Sequence, residues 1–194
     1  MANKMKEIRW HGRGGQGAKT ASILLARIAA AGGKYIQAFP EYGPERMGAP
    51  VLAYTRISEE PIHKHCQVEF PDLVAVLDPT LIDTVDVTAN LVTKGGLVIN
   101  TTQKPEEIKQ ENELEDTVNV FTVDADKISG EELGRIFPNT PLLGAVNIAA
   151  SLMGREDFLG KAEKEFSRKF SGKEDLINGN LKSVQRAMEE VQTL

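Results

Sequence analysis

The apolar positions of this chain switch between a period of two and a period near 3.6, and the switches mark its elements. Ile8-Arg9-Trp10-His11 alternates, which puts Ile8 and Trp10 on one face of a short strand. The strand runs into Gly12-Arg13-Gly14-Gly15-Gln16-Gly17. Ala21, Leu24, Leu25 and Ile28 then recur at spacings of three and four, predicting a helix from about Ala18 to Ala31 that Gly32-Gly33 stops. Tyr35 to Phe39 reads as a second strand, so residues 1–39 spell strand, glycine turn, helix, strand.

Further strands follow. Pro40 to Pro50 is a loop by its turn chemistry, and Val51 to Ile57 is a strand of β-formers. Leu73 to Leu77 and Gly96 to Asn100 are continuous apolar runs typical of strands covered on both faces, and Asn119 to Asp124 adds another. Asp78-Pro79 is expected to open a helix through Ile82 and Val85. The last third is helical: Leu142 to Met153 is nearly all apolar and small, and Phe158, Ala162, Phe166 and Phe170 share a face. Leu181, Val184, Met188 and Val191 share another, on a final helix from about Asn178 that reads as a mobile appendage. The pattern predicts an α/β protein, a three-layer α/β/α sandwich with a mostly parallel, open, Rossmann-like sheet and C-terminal helices. With no repeat, low-complexity tract or linker, residues 1–194 read as a single domain.

Charge and cysteine content narrow the chemistry. The net charge of −5 argues against general nucleic-acid binding. It is unevenly spread: residues 1–58 hold nine Lys and Arg against three Glu, and residues 59–154 hold six against 17 acidic residues. Cys66 is the only cysteine, so the chain makes no internal disulfide and no Cys₂His₂ zinc site. It also cannot ligate an iron–sulfur cluster, which takes about four thiolates. No apolar run approaches the roughly 20 residues of a membrane span. The N-terminal residues carry no signal-peptide core, so the cytoplasm is the expected location.

Gly12-x-Gly14-x-x-Gly17 matches the dinucleotide fingerprint in its proper context, after a strand and before a helix. Glycines let a phosphate approach backbone N–H groups, and the helix N-terminus adds partial positive charge. Arg13, Lys19 and Thr20 offer side-chain donors. Phosphate or pyrophosphate binding is the favoured reading. A turn that merely packs strand on helix comes second. A nicotinamide site comes third, because the second strand ends Gln37-Ala38-Phe39 without the ribose-holding acid. The loop with Glu45 and Arg46 should leave the same end of the sheet as the glycine turn, and Arg46 offers a planar fork for phosphate or carboxylate. His63-Lys64-His65-Cys66 is read as a solvated or subunit-contacting edge in preference to a metal site, because nothing elsewhere completes a ligand set. Asp124 and Asp126 read as a helix cap or loop pair.

Three stretches together carry a resemblance. They are Arg9-Trp10-His11-Gly12-Arg13-Gly14-Gly15-Gln16-Gly17, Gln37 to Pro50 with its Gly43-Pro44-Glu45-Arg46 core, and Tyr54-Thr55-Arg56-Ile57. With Val76 to Pro79 and Asn139 to Ala145 they resemble the gamma subunit of pyruvate:ferredoxin oxidoreductase (pyruvate synthase) and its 2-oxoacid relatives. The resemblance implies one subunit of an oxidoreductase that converts a 2-oxoacid and coenzyme A to acyl-CoA and carbon dioxide while reducing ferredoxin. It implies alpha, beta and delta-type or fused partner subunits that hold thiamine diphosphate and the iron–sulfur clusters, contact with ferredoxin through those partners, and no nucleic acid or membrane. A homodimer of the isolated chain is compatible with it. It implies no cofactor bound by this chain alone, no catalytic residue on it, and a shared coenzyme A site. The phosphate-facing residues are then Gly12, Arg13, Gly14, Gly15, Gln16, Gly17, Lys19 and Thr20, with Glu45 and Arg46 shaping the loop beside them. Pyruvate is the preferred oxoacid. The alternatives are a stand-alone NAD-dependent dehydrogenase and a purely structural scaffold subunit.

Overall fold

A computed structural model of the protein describes residues 5–41 and 47–194. Among the described residues, seven strands form one sheet: β1 (Met5–Arg13), β2 (Tyr35–Pro40), β3 (Pro50–Ser58), β4 (Leu73–Val76), β5 (Gly96–Asn100), β6 (Asn119–Val123) and β7 (Gln192–Thr193). The helices are α1 (Ala18–Ala31), α2 (Pro105–Glu111), α3 (Ala125–Leu133), α4 (Pro141–Ala150), α5 (Arg155–Lys169) and α6 (Glu174–Glu190). The strand order is β2-β3-β1-β4-β5-β6-β7. β1, β4, β5 and β6 are parallel to one another; β3 is antiparallel to both β1 and β2, and β7 is antiparallel to β6.

The first strand–helix–strand unit is therefore wider than the sequence suggests. β1 and β2 run in the same direction, but β3 lies between them. Burial explains the insertion: β3 is buried over its last six residues and takes the interior place, while β2 is nowhere fully buried and takes the edge. The parallel character is confined to the centre of the sheet.

One face of the sheet packs against α1 and the C-terminal helices. Ile8, Trp10, Ala53, Ala75 and Val98 meet Leu25, Ile28, Leu142, Val146 and Val184 there. Trp10 is wholly buried, and its indole N–H donates to Thr55 Oγ1 at 3.0 Å. The final helix is part of this core, with Ile177, Val184, Ala187 and Met188 all buried, so it is no appendage. Gly144 and Gly179 let the helices close up: a Cβ at Gly144 would sit 2.3 Å from the Val184 carbonyl oxygen.

The other face is covered differently from the expected helical layer. Val74, Val76, Leu97, Ile99 and Val120 pack under Leu81 and Val87 of the irregular segment after β4 and under Ile108 of α2. The helix expected after Asp78-Pro79 is only a single 3₁₀ turn, Pro79–Leu81, capped by the Asp78 side chain. The β-branched Ile82, Thr84, Val85, Val87 and Thr88 that follow Leu81 disfavour a continued helix. Asp124 caps α3 by accepting from the Lys127 N–H at 2.9 Å, as the sequence reading anticipated.

Candidate functional site

The glycine turn lies at the C-terminal ends of β1 and β4. Here the connection from β1 leads to one half of the sheet and the connection from β4 to the other, and ligands of open α/β sheets bind in such crevices. β1 extends to Arg13, so Gly12 belongs to the strand, and the turn proper is Gly14 to Gly17. Gly15 and Gly17 adopt positive φ, +101° and +88°. Gly17 is the N-cap of α1, and a Cβ on it would approach Asn139 Nδ2 to 2.8 Å. α1 has no side-chain cap and no acidic residue in its first turn, so its positive end faces outward unneutralised. Lys19 is exposed beside it and, among the described residues, makes no ion pair.

The turn's other polar side chains are spoken for. Arg13 sets Nε 3.2 Å from Asp78 Oδ2, donates from Nη1 to the Gly48 carbonyl at 3.2 Å, and donates from Nη2 to Thr80 Oγ1 at 2.8 Å. Gln16 donates from Nε2 to Asp78 Oδ2 at 2.7 Å, and its Oε1 accepts the Arg13 backbone N–H at 2.7 Å. Burial disfavours the Asp78 carboxylate, yet hydrogen bonds from Thr80 and Gln16 and the Arg13 charge outweigh that and hold its pKa below the ordinary value. Arg13 and Gln16 thus build the turn. Lys19, Thr20 and backbone N–H groups are left to face a ligand.

The loop after β2 returns to the same place. Gly14 N–H donates to the Ala49 carbonyl at 2.9 Å, and Gly48 N–H donates to the Gly14 carbonyl at 3.2 Å. These bonds pin the start of β3 to the glycine turn. Between them opens a cleft of about 440 Å³, lined by the turn, Lys19, Thr20, Pro40, Glu41 and Met47. Glu45 and Arg46, the loop residues proposed from sequence, lie outside the described residues.

Sequence reading missed a second group on the sheet. Arg9, His11 and Tyr54 share the face opposite Trp10 and line a larger cavity of about 730 Å³. Arg9 donates from Nη2 to the Val87 and Ala89 carbonyls at 3.0 and 2.7 Å. Burial, reinforced by the Arg9 charge, lowers the His11 pKa to about 4, so the imidazole is neutral. Tyr54 donates its hydroxyl to Glu41 Oε2 at 2.7 Å; burial and that bond raise its pKa. The signal was available: Glu7, Arg9, His11 and Arg13 recur at every second position opposite Ile8 and Trp10. Their partners in β3 complete the pattern, with Arg56 wholly buried and Nε 2.7 Å from Glu7 Oε1.

The nicotinamide alternative has no geometry here. Its ribose-binding acid must end a strand beside the first, but β2 is separated from β1 by β3, and Glu41, the acid that follows β2, is engaged by Tyr54. His63, His65 and Cys66 lie exposed in an irregular segment, not on a strand. Among the described residues no group of three or more His, Cys, Asp or Glu is placed to hold a metal ion, and no helix is long and apolar enough to cross a membrane.

Residues 7–190 match the family model for pyruvate ferredoxin/flavodoxin oxidoreductase. Over 191 residues the chain is 42% identical to pyruvate synthase subunit PorC of Thermotoga maritima, covering 98% of this chain and 97% of that one. It is 45% identical over 188 residues to the gamma subunit common to the pyruvate and ketoisovalerate oxidoreductases of Pyrococcus abyssi, covering 97% and 98%. The crystal structure of the Thermotoga maritima subunit superposes with a TM-score of 0.85 at 39% identity, over 98% of this chain and 99% of that one. The fold also recurs in 2-oxoglutarate:ferredoxin oxidoreductase from Magnetococcus marinus, solved with 2-oxoglutarate, coenzyme A and succinyl-CoA bound; the TM-score is 0.73 at 18% identity, over 96% of this chain and 31% of that one. The likeness to these gamma subunits runs along nearly the whole chain. The chain belongs to the pyruvate ferredoxin/flavodoxin oxidoreductase family, as a gamma subunit of a multi-subunit 2-oxoacid:ferredoxin oxidoreductase.

Proposed function

We propose that this gamma subunit supplies the phosphate-binding part of a shared coenzyme A site and has no catalytic residue of its own. The observation that supports this most is the cleft at the glycine turn. It combines a helix N-terminus without a side-chain cap, two glycines at positive φ and a Lys19 that makes no ion pair among the described residues. Such a site suits a polyanionic carrier. Gly14, Gly15 and Gly17 keep the backbone close to the phosphates, Gly12 lets β1 pack closely beneath the start of α1, Arg13 and Gln16 hold the turn's shape, and Lys19 and Thr20 contact the anion. Glu45 and Arg46 join the site on sequence grounds.

Pyruvate is the favoured oxoacid. Alpha, beta and delta-type or fused partners complete the enzyme, pass electrons to ferredoxin and hold thiamine diphosphate and the iron–sulfur clusters. The residues of this chain do not fit a cluster: Cys66 is its one thiol and stands alone on the surface.

The test is steady-state kinetics of the fully assembled enzyme with pyruvate, coenzyme A and ferredoxin. Lys19→Gln should raise the KM for coenzyme A about tenfold, the loss expected for one charge-assisted phosphate contact, and leave the KM for pyruvate in place. An unchanged KM for coenzyme A contradicts the proposal. A purely structural scaffold subunit predicts that unchanged value.

A further inference from the structure

The two edges of the sheet are built differently. At one, β7 adds only Gln192–Thr193 beside β6. At the other, β2 runs for six residues, pairs with β3 on one side and, among the described residues, with nothing on the other. An edge strand offers its free N–H and C=O groups to any other strand, and proteins blunt such edges with lysine, proline, a bulge or a cover. Lys34 and Pro40 stand only at the ends of β2. Tyr35-Ile36-Gln37-Ala38-Phe39 between them carries no charge, and Tyr35 and Ile36 are 49% and 38% exposed.

Pairing with β3 decides which backbone groups are free. The Glu41 N–H donates to the Leu52 carbonyl at 2.9 Å just past the end of the strand. The same register runs back through Phe39–Tyr54, Gln37–Arg56 and Tyr35–Ser58. Bonded and non-bonded positions alternate in an antiparallel ladder, so these residues bond β3 while Ile36 and Ala38 turn their N–H and C=O outward.

We propose that a second copy of this chain occupies that edge, β2 against β2, antiparallel about a two-fold axis at Gln37. The strand fits its own reverse. Ile36 of each copy lies opposite Ala38 of the other, and each pair exchanges both of its backbone hydrogen bonds. On the other face Tyr35 lies opposite Phe39, an aromatic cross-strand pair. Phe39 already packs on Tyr54 with ring centroids 5.2 Å apart, so the pairing carries an aromatic row from one copy into the next. A two-fold axis sets like against like, so a charge at its centre would repel its twin. Gln37 is neutral, and its amide is held by Arg56 Nη1 at 2.7 Å and by the Lys64 carbonyl at 3.0 Å. Pro40, with no N–H to donate, falls opposite Lys34 and closes the shared ladder at both ends. Neighbouring registers fit less well. One sets Ile36 against Pro40 and leaves the Ile36 carbonyl without a donor. The other sets Ala38 against Lys34, whose N–H already bonds the Ala29 carbonyl at 3.4 Å.

Sedimentation velocity of the full chain should show a dimer. Ala38→Pro removes an N–H that β3 does not use, and an edge strand accepts proline at such a position. It should weaken the dimer about a hundredfold, through one bond lost from each copy with its acceptor left bare, while the far-ultraviolet circular dichroism stays that of the parent. A parent chain that is monomeric even at about 100 μM, or an Ala38→Pro variant that dimerises as tightly as the parent, overturns the inference. The assembled enzyme carrying Cys66→Ser and Gln37→Cys gives a second reading. Directly opposed residues between the hydrogen-bonded pairs have Cα atoms about 4.5 Å apart, within disulfide reach. Oxidation should therefore join two gamma subunits, and Ala38→Cys in the same background, which faces Ile36 instead of itself, should join far fewer. Absence of that disulfide at Gln37→Cys overturns the inference, as does a bond to a different subunit, which would give the edge to that subunit. Should Ala38→Pro not fold, this cross-link decides alone.

Discussion

Arg13 Nε lies 3.2 Å from Asp78 Oδ2 and so ties the C-terminal end of β1 to that of β4. The contact fills the crevice of the sheet with the chain's own ion pair. It leaves the free anion-binding capacity one step along, at the first turn of α1. The Asp78 and Arg13 side chains are 15% and 29% exposed, so water only partly screens the pair.

Asp78→Ala removes that pair and the acceptor for Gln16 and Thr80 together. We expect it to lower stability by about 1–2 kcal/mol in urea unfolding. The folded-state pKa of Asp78 is depressed, so its contribution is complete above its ordinary pKa and is lost as pH falls through the lower, folded value. The difference between the parent chain and Asp78→Ala should be flat from pH 8 to 5 and shrink only in stronger acid. A difference that shrinks already between pH 8 and 6 contradicts this.

The two positive-φ glycines of the turn should respond unequally to alanine. Gly15 has open space where a Cβ would go, so Gly15→Ala costs only the backbone conformation, about 1 kcal/mol. Gly17→Ala adds a 2.8 Å approach to the buried Asn139 amide and should cost about 2–3 kcal/mol. Thermal unfolding of both variants checks the order; equal losses contradict the close approach.

His11 gives a second pH signature. Its folded pKa, about 4, lies below the ordinary value, so the unfolded chain takes up a proton first as pH falls. Stability should drop between about pH 6.5 and 4, by up to roughly 3 kcal/mol from this one group. His11→Gln should flatten that part of the stability profile, measured by urea unfolding at several pH values. An unchanged slope in the variant contradicts the neutral, buried imidazole.

Most elements were legible in the sequence because their periods are clean. The α1 range, Ala18–Ala31, follows directly from Ala21, Leu24, Leu25 and Ile28 and from the two glycines after Ala31. Pairing was harder to read. Nothing local states that β3 enters between β1 and β2, since that depends on which strand can give up water on both faces. The segment after Pro79 shows propensity giving way to packing: Leu81 and Val87 cover the sheet from irregular backbone. At the site, the glycines announced the turn, whereas the division of labour between Arg13 and Lys19 did not show. Both are basic residues near glycine, and only Asp78, 65 positions from Arg13 along the chain, separates their roles. Arg9 and His11 sit at the alternate positions of β1 that a half-exposed strand gives to water, so their burial depends on the distant segment after β4 that covers this face.

That polar face also carries a stability prediction. Arg56 is wholly buried and bonds Glu7, Gln37 Oε1 at 2.7 Å and the Gln67 carbonyl at 3.0 Å. Arg56→Met strands the largely buried Glu7 carboxylate with only Lys64 Nζ, 2.9 Å away, and should cost about 3–5 kcal/mol. Adding Glu7→Leu should restore part of the loss, giving a coupling energy above about 1 kcal/mol in a double-mutant cycle. Strict additivity of the two losses contradicts the pairing.

The central claim, that this subunit holds the phosphates of coenzyme A, is tested most directly by photoaffinity labelling of the intact assembled enzyme. An azido derivative of coenzyme A is bound, irradiated and located by peptide mass spectrometry, with excess coenzyme A as the competitor. The account predicts competable label on the gamma subunit, in peptides spanning Arg13 to Thr20 or the start of β3. Competable label confined to the partner subunits contradicts it.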